Sequence, residues 1–221
     1  MDTLLDDVEV RVLGVLVEKE KTTPEYYPLT LNAVTTACNQ KSNRNPVVSF
    51  DGKTVVRALD GLRDKELVRQ LSGAEMRVPK YYHLCRETFD LADGPLVALA
   101  VLMLRGPQTL GEVRGRSQRL FEFTDLEHVE QTLRVLEDRE NGAFVRILPR
   151  LPGRKESRYT HLLGGEPELA EPATEVSAEA ATLEVRAENE RIASLESDVA
   201  VLKEELADLR REFGDFRQQF D

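Results

Sequence analysis

Asp51–Leu84 reads DGKTVVRALDGLRDKELVRQLSGAEMRVPKYYHL, and this stretch decides the fold. Val55, Leu59 and Leu62 recur at helical spacing, which predicts a helix over about 51–66 with one buried face. Leu67-Val68-Arg69-Gln70-Leu71, a turn region around Gly73 and Lys80-Tyr81-Tyr82-His83-Leu84 then read as a β-hairpin. Upstream, Val8, Val12, Val15 and Leu16 predict an amphipathic helix over residues 6–20. Thr22-Thr23-Pro24-Glu25 reads as a fresh helix start, with Pro24 at the first helical position and capping-box spacing between Thr22 and Glu25. A second helix follows at about 30–41, with Leu31, Val34, Ala37 and Cys38 on one face. Ser42-Asn43-Arg44-Asn45-Pro46 ends it, because Pro46 pushes Asn45 out of helical geometry. Three helices followed by a hairpin is the winged-helix order.

Downstream the order returns. Pro107-Gln108-Thr109-Leu110 echoes Pro28-Leu29-Thr30-Leu31, and Val129, Leu133 and Leu136 echo Val55, Leu59 and Leu62. Thr109 with Glu112 and Thr124 with Glu127 both have capping-box spacing. Phe144-Val145-Arg146-Ile147-Leu148, a Pro152-Gly153 turn and Ser157–Leu162 read as a second hairpin. Each module is near the lower size for an independent core, so the two are expected to pack together.

The 221-residue chain carries a net charge of −10, but the charge is unevenly placed. Residues 1–90 net −1, residues 91–163 net +1, and residues 164–221 net −10. The acidity therefore belongs to the tail and excludes neither sign of partner for the body. Hydrophobic residues at 41% and charged residues at 32% exclude wholesale disorder and a membrane protein. The acidic opening Met1–Asp7 is expected to be neither a signal nor a transit peptide. Cys38 and Cys85, with no partner motif, point to a reducing, cytoplasmic setting.

Residues 164–181 hold five glutamates, two glycines, two prolines and no basic side chain, and read as an acidic linker. Residues 182–221 read as a coiled-coil helix. Ile192, Val199, Leu206, Phe213 and Phe220 take heptad position a; Leu195, Leu202, Leu209 and Phe216 take position d. In a parallel pair the flanks give Arg191–Glu196, Asp198–Lys203, Glu205–Arg210 and Glu212–Arg217, each of opposite charge. This predicts a parallel homodimer; the rival is a lone helix folded back on the body.

The strings now point to a family. Glu9–Gly14, Glu18–Glu25, Tyr27–Ala33, Ala37–Arg44, Leu104–Thr109 and Glu156–Tyr159 resemble the bacterial YceH-like family, over about residues 5–164. One departure is Asn45, where the family is often acidic. The resemblance implies a tandem winged-helix fold followed by a variable acidic linker and a coiled coil. It carries over no catalytic or binding residues. The expected fold class is thus mainly α with small β-hairpin wings: winged-helix domains at 1–90 and 91–163, the linker at 164–181 and the coiled coil at 182–221.

Catalysis finds little support: there is no phosphate-loop glycine pattern, no paired-histidine metal motif and no Cys-x-x-Cys. The chain is expected not to be an enzyme and to need no metal or cofactor. His83 and His161 take comparable wing positions, which suggests a structural role, and Cys38 reads as a small buried hydrophobe. DNA is the partner a winged helix implies, through its third helix and wing. In module one the candidate contacts are Lys41, Asn43 and Arg44 in the loop and Lys53 and Arg57 on the third helix. For the loop, a polar segment satisfying its own backbone is an equal alternative. Module two opens its third helix with Asp125, Glu127 and Glu130, the wrong sign for phosphate. Its positive charge lies on Arg114, Arg116 and Arg119 and on a wing with Arg146, Arg150, Arg154, Lys155 and Arg158. The rival class is a protein-interaction scaffold built on the same modules.

Overall fold

The structure is a computed structural model that describes residues 4–73, 77–139, 142–150 and 156–166. The expected coiled coil at 182–221, all of the linker beyond residue 166, and Arg154 and Lys155 lie outside the described residues. Among the described residues the protein is mainly helical with small antiparallel sheets. In chain order the helices are α1 (Asp7–Thr22), α2 (Leu31–Cys38), α3 (Gly52–Asp64), α4 (Cys85–Phe89), α5 (Asp93–Arg105), α6 (Leu110–Ser117) and α7 (Leu126–Glu137). The strands are β1 (Leu29–Thr30), β2 (Val68–Leu71), β3 (Lys80–His83), β4 (Val145–Ile147) and β5 (Tyr159–His161).

α1 starts at a capping box: the Asp6 carboxylate accepts from the Val8 and Glu9 amides, and Glu9 reaches back to the Asp6 amide. The expected fresh helix at Thr22–Glu25 is not formed. α1 runs through Thr22, whose hydroxyl donates to the Glu18 carbonyl, and only a single 3₁₀ turn follows at Pro24–Tyr26. α2 is shorter than its sequence suggests, beginning after the N-cap Thr30 and ending at Cys38. Val55, Leu59 and Leu62 of α3 are buried, as are Val129, Leu133 and Leu136 of α7. At α7 the cap is Asp125, whose carboxylate accepts from the His128 amide, in place of the expected Thr124. The carboxylate sits one residue nearer the helix and the shorter reach wins.

The first sheet has the order β1-β3-β2, and sequence reading missed its two-residue edge strand β1. The second pairs β4 with β5, and an isolated bridge joins Gln108 to Tyr159 where β1 would stand. The repeat is therefore geometric as well as sequential. Leu29 faces Tyr81 as Gln108 faces Tyr159, and Val68 faces His83 as Val145 faces His161. The N-caps Thr30 and Thr109 also correspond, the latter in a full capping box with Glu112.

The buried apolar residues of both halves form one cluster, so the halves share a core. Its spine is α1 against α5. α5 is buried along nearly its whole length, and a Cβ added at Gly14 of α1 would stand 3.1 Å from Leu104 and Met103 side-chain atoms. Glycine is what lets the two backbones approach there. α5 ends at Gly106 with φ +69°, the left-handed conformation glycine tolerates at a helix end. An ionic chain ties the end of α1 to the second half. Glu20 lies 3.5 Å from His83 Nε2 and 3.1 Å from Arg86, and Lys21 donates to Asp93 at 2.7 Å. His83 foremost, then Arg86, holds the Glu20 carboxyl down at about 2, against the opposing effect of burial.

Candidate nucleic-acid interface

The α2–α3 loop is built around two side chains. The Asn39 amide donates to the Phe50 carbonyl and accepts from the Phe50 amide, both at 2.8 Å, which closes the loop at its base. Arg44 fills the interior. Its guanidinium, with no exposed side-chain surface, donates to both oxygens of Glu18 at 3.0 and 2.5 Å. It also donates to the Ala37 carbonyl, the Asn43 carbonyl and the Gln40 side chain. This corrects the expectation that Arg44 contacts nucleic acid. A guanidinium brought into the interior needs a matched carboxylate and several acceptors, and with all of them satisfied it has no donor left for phosphate. The local alternative, a loop satisfying its own groups, is what Arg44 does. Asn43 is exposed with φ +62°, and its side-chain oxygen accepts from Arg105. Lys41 is exposed and in no ion pair among the described residues.

α3 presents Lys53 and Arg57 one turn apart, both exposed, opposite its buried face. The N-cap Asp51 accepts from the Thr54 amide at 2.7 Å, and that bond foremost holds its carboxyl below the usual range. Farther along, Asp60 pairs with Arg63 at 3.0 Å, so the basic half of the open face is its N-terminal half. Leu31, Lys53, Val56 and Arg57 line a shallow groove of about 670 Å³. Thr30, next to Leu31, pairs across the sheet with Lys80 of β3. Asp51 also lines this groove. On the first hairpin, Arg69 and Arg77 are exposed as well. Sequence reading did not single out Arg69, Arg77 and Lys80. The available signal was their excess over a single Glu75 within residues 67–84.

The second half disposes of its cations differently. Arg158 donates to Glu112 at 2.9 Å and to the Pro107 carbonyl at 2.8 Å, latching β5 onto the start of α6. Arg146 pairs with Glu166. Arg114 donates to the Thr124 carbonyl at 2.7 Å, and Arg116 to the Gln108 side chain. Of the candidate wing residues described, only Arg150 is exposed and in no ion pair among the described residues. Arg158, expected as a wing cation for nucleic acid, is 31% exposed and paired with Glu112. Burial would raise the Glu112 carboxyl, but the Thr109 amide and then Arg158 and Arg116 hold it below its ordinary value.

Among the described residues no group of three or more histidine, cysteine, aspartate or glutamate side chains is placed to hold a metal. None of their helices is long and apolar enough to cross a membrane. Cys38 is fully buried and its thiol is pushed up to about 12 by that burial; Cys85 is pushed up by the same cause. The thiolate a nucleophile needs is thus disfavoured at both.

Residues 5–154 match the family model described as "Protein of unknown function, DUF480". The chain is 56% identical to a UPF0502 protein of Geobacter sulfurreducens over 196 residues, covering 89% of each. It is 54% identical to a UPF0502 protein of Geobacter metallireducens over 198 residues, 90% of each. It is also 54% identical to one of Opitutus terrae over 174 residues, 78% of this chain and 76% of the relative.

Proposed function

The chain belongs to the DUF480, or UPF0502, family of uncharacterised bacterial proteins, the same family as the YceH-like proteins it resembles, and we propose that it is a non-catalytic, nucleic-acid-binding homodimer built on two winged-helix modules. The observation that carries the reading is a set of cations on the loop, third helix and hairpin of the first half that are in no ion pair among the described residues. Lys41, Lys53 and Arg57, with Arg69, Arg77 and Lys80 on the hairpin, are in no ion pair among the described residues, while their neighbours Arg44 and Arg63 are paired. Unpaired cations on a helix start and an adjoining hairpin suit a phosphate backbone, where each contact releases counterions. The heptad seam from Ile192 to Phe220 would join two such faces, so that a palindromic site engages both copies. Tight packing around both cysteines supports the non-catalytic reading.

A second reading has its own observation. In the second half, Leu126 and Val135 of α7 are 48% and 56% exposed, on a helix whose start is acidic. The two lie on opposite sides of the helix, so each offers a single apolar contact. Beside an acidic helix start, such contacts suit a protein segment, as in a scaffold, better than they suit phosphate. The test is titration of full-length protein against mixed-sequence duplex DNA across a salt series. Affinity should fall steeply as salt rises, and no binding at low salt overturns the nucleic-acid reading in favour of the scaffold. Light scattering on the same protein should give a dimer, and a monomer overturns that element.

A further inference from the structure

Away from the α3 face, α1, the loop at 39–46, α5 and α6 enclose a cleft of about 700 Å³ where the two halves meet. Lys19, Arg105, Arg116 and Arg119 reach it from α1, α5, α6 and the turn after α6. One other charged side chain lines it, Glu18, and both of that carboxylate's oxygens are already bound to Arg44. Arg105 and Arg116 are held in place. Gln108, itself buried, donates to the carbonyls of Arg105 and Pro107 and accepts from Arg116. Arg105 is fixed from the other side by the Asn43 side chain, while the Asn45 amide donates to the Leu104 carbonyl at 2.9 Å. Burial, and then the nearby charge of Arg116, lowers the Arg105 pKa. Arg116 lies 3.6 Å from Glu112 and Lys19 lies 3.8 Å from Glu18, so two of the four cations are partly offset, while Arg105 and Arg119 are in no ion pair among the described residues. Like charges gathered in a partly desolvated cleft repel one another unless an anion joins them. Val101, Leu104 and Leu120 give the cleft an apolar wall.

We propose that this cleft binds a small organic phosphate of nucleotide size, its phosphates on Arg105, Arg116 and Arg119 and its apolar body against Val101, Leu104 and Leu120. Guanidinium groups match phosphate oxygens in two-bond geometry, and the volume falls in the ordinary range for small-molecule sites, roughly 300–1,000 Å³. Because the cleft lies at the junction of the halves, an occupant would brace the loop that carries Lys41 against α5 and α6. This site is independent of the nucleic-acid reading and can stand or fall without it.

Isothermal titration calorimetry of the full-length protein at low ionic strength tests it, with ADP and, separately, inorganic pyrophosphate as probes. ADP should bind more tightly than pyrophosphate, because only ADP reaches the apolar wall. Arg119→Gln, at an exposed position, should weaken ADP at least about tenfold, the loss expected of one charged hydrogen bond to phosphate. Arg105→Gln should do the same, with thermal melts confirming that both variants fold. Lys53→Gln should leave ADP binding unchanged. Absence of binding by either probe overturns the proposal, as does ADP binding that both folded arginine variants leave intact. Equal affinity for the two probes overturns the organic part. If Arg119→Gln weakens duplex DNA as much as ADP, the cleft is part of the nucleic-acid path and the small-molecule site is overturned.

Discussion

The two halves repeat one element order, yet the cations of their third helices and hairpins are disposed differently. In the first half Lys41, Lys53, Arg57, Arg69, Arg77 and Lys80 stand outside every ion pair among the described residues, and one arginine of the loop, Arg44, is turned inward. In the second half the arginines of α6, α7 and β5 close onto carbonyls and carboxylates: Arg114 on Thr124, Arg134 on Glu130, Arg158 on Glu112.

The sharpest way to break that contrast is at Arg44. Arg44→Ala leaves Glu18 buried beside Arg11 without its bidentate partner, and should cost about 3–5 kcal/mol in urea or thermal unfolding. Lys41→Ala, three residues away and exposed, should stay within about 0.5 kcal/mol. If Arg44→Ala melted like the parent and lost DNA affinity, the assignment of struts and free charges in this loop would be reversed.

The next effect is on binding. The double variant Lys53→Gln/Arg57→Gln should weaken duplex DNA about tenfold and flatten the slope of log K against log salt by about 2. Arg114→Gln/Arg158→Gln should lower the melting temperature and leave that slope unchanged. Filter binding over a salt series separates the two outcomes. An equal flattening by both pairs would mean that the halves contribute alike.

Much of this fold was legible because it rests on local pattern. The faces carried by Val55, Leu59 and Leu62 and by Val129, Leu133 and Leu136 fixed two helices, and alternation marked both hairpins. What was not legible depends on contacts between distant residues. Arg44 reads as a loop cation, and only Glu18, 26 residues earlier and on another helix, makes it interior. β1 is two residues long and exists because β3 offers it an edge. Arg158 looks free on its wing until α6 brings Glu112 beneath it. Composition can locate charge along a chain, but pairing is decided by the packing of elements.

The histidines sharpen the comparison through pH. His83 and His161 hold the same strand position and each buries one ring nitrogen without a hydrogen-bond partner, but His83 Nε2 lies 3.5 Å from the Glu20 carboxylate. Burial pulls the His161 pKa down to about 4, against a small opposing effect of Asp7. The unfolded chain binds its proton near pH 6.5 and the folded one only near 4, so stability is full above 6.5 and falls as pH drops through that window. The loss should be about 3 kcal/mol across the whole window, because the ring is largely buried. His161→Phe should remove it from a series of urea melts. Glu20 acts lower: its depressed carboxyl contributes stability above the ordinary glutamate range that is lost as pH falls towards about 2.

The smallest effect tests whether the acidic start of α7 keeps nucleic acid away. Glu127 is exposed in the first turn and accepts from Gln131 at 3.2 Å, so Glu127→Lys changes charge without opening the core. Placing a cation at the helix N-terminus should cost about 0.3–1 kcal/mol of stability through the helix dipole. On the nucleic-acid reading, if α7 lies near the bound duplex, the reversal turns one repulsion into attraction, and affinity should rise a few-fold at low salt, an effect under about 1 kcal/mol. The gain should vanish at high salt, because both partners are solvent-exposed. An unchanged affinity at all salts would place α7 beyond a Debye length from DNA, and the acidic start of α7 would then have no part in keeping nucleic acid away.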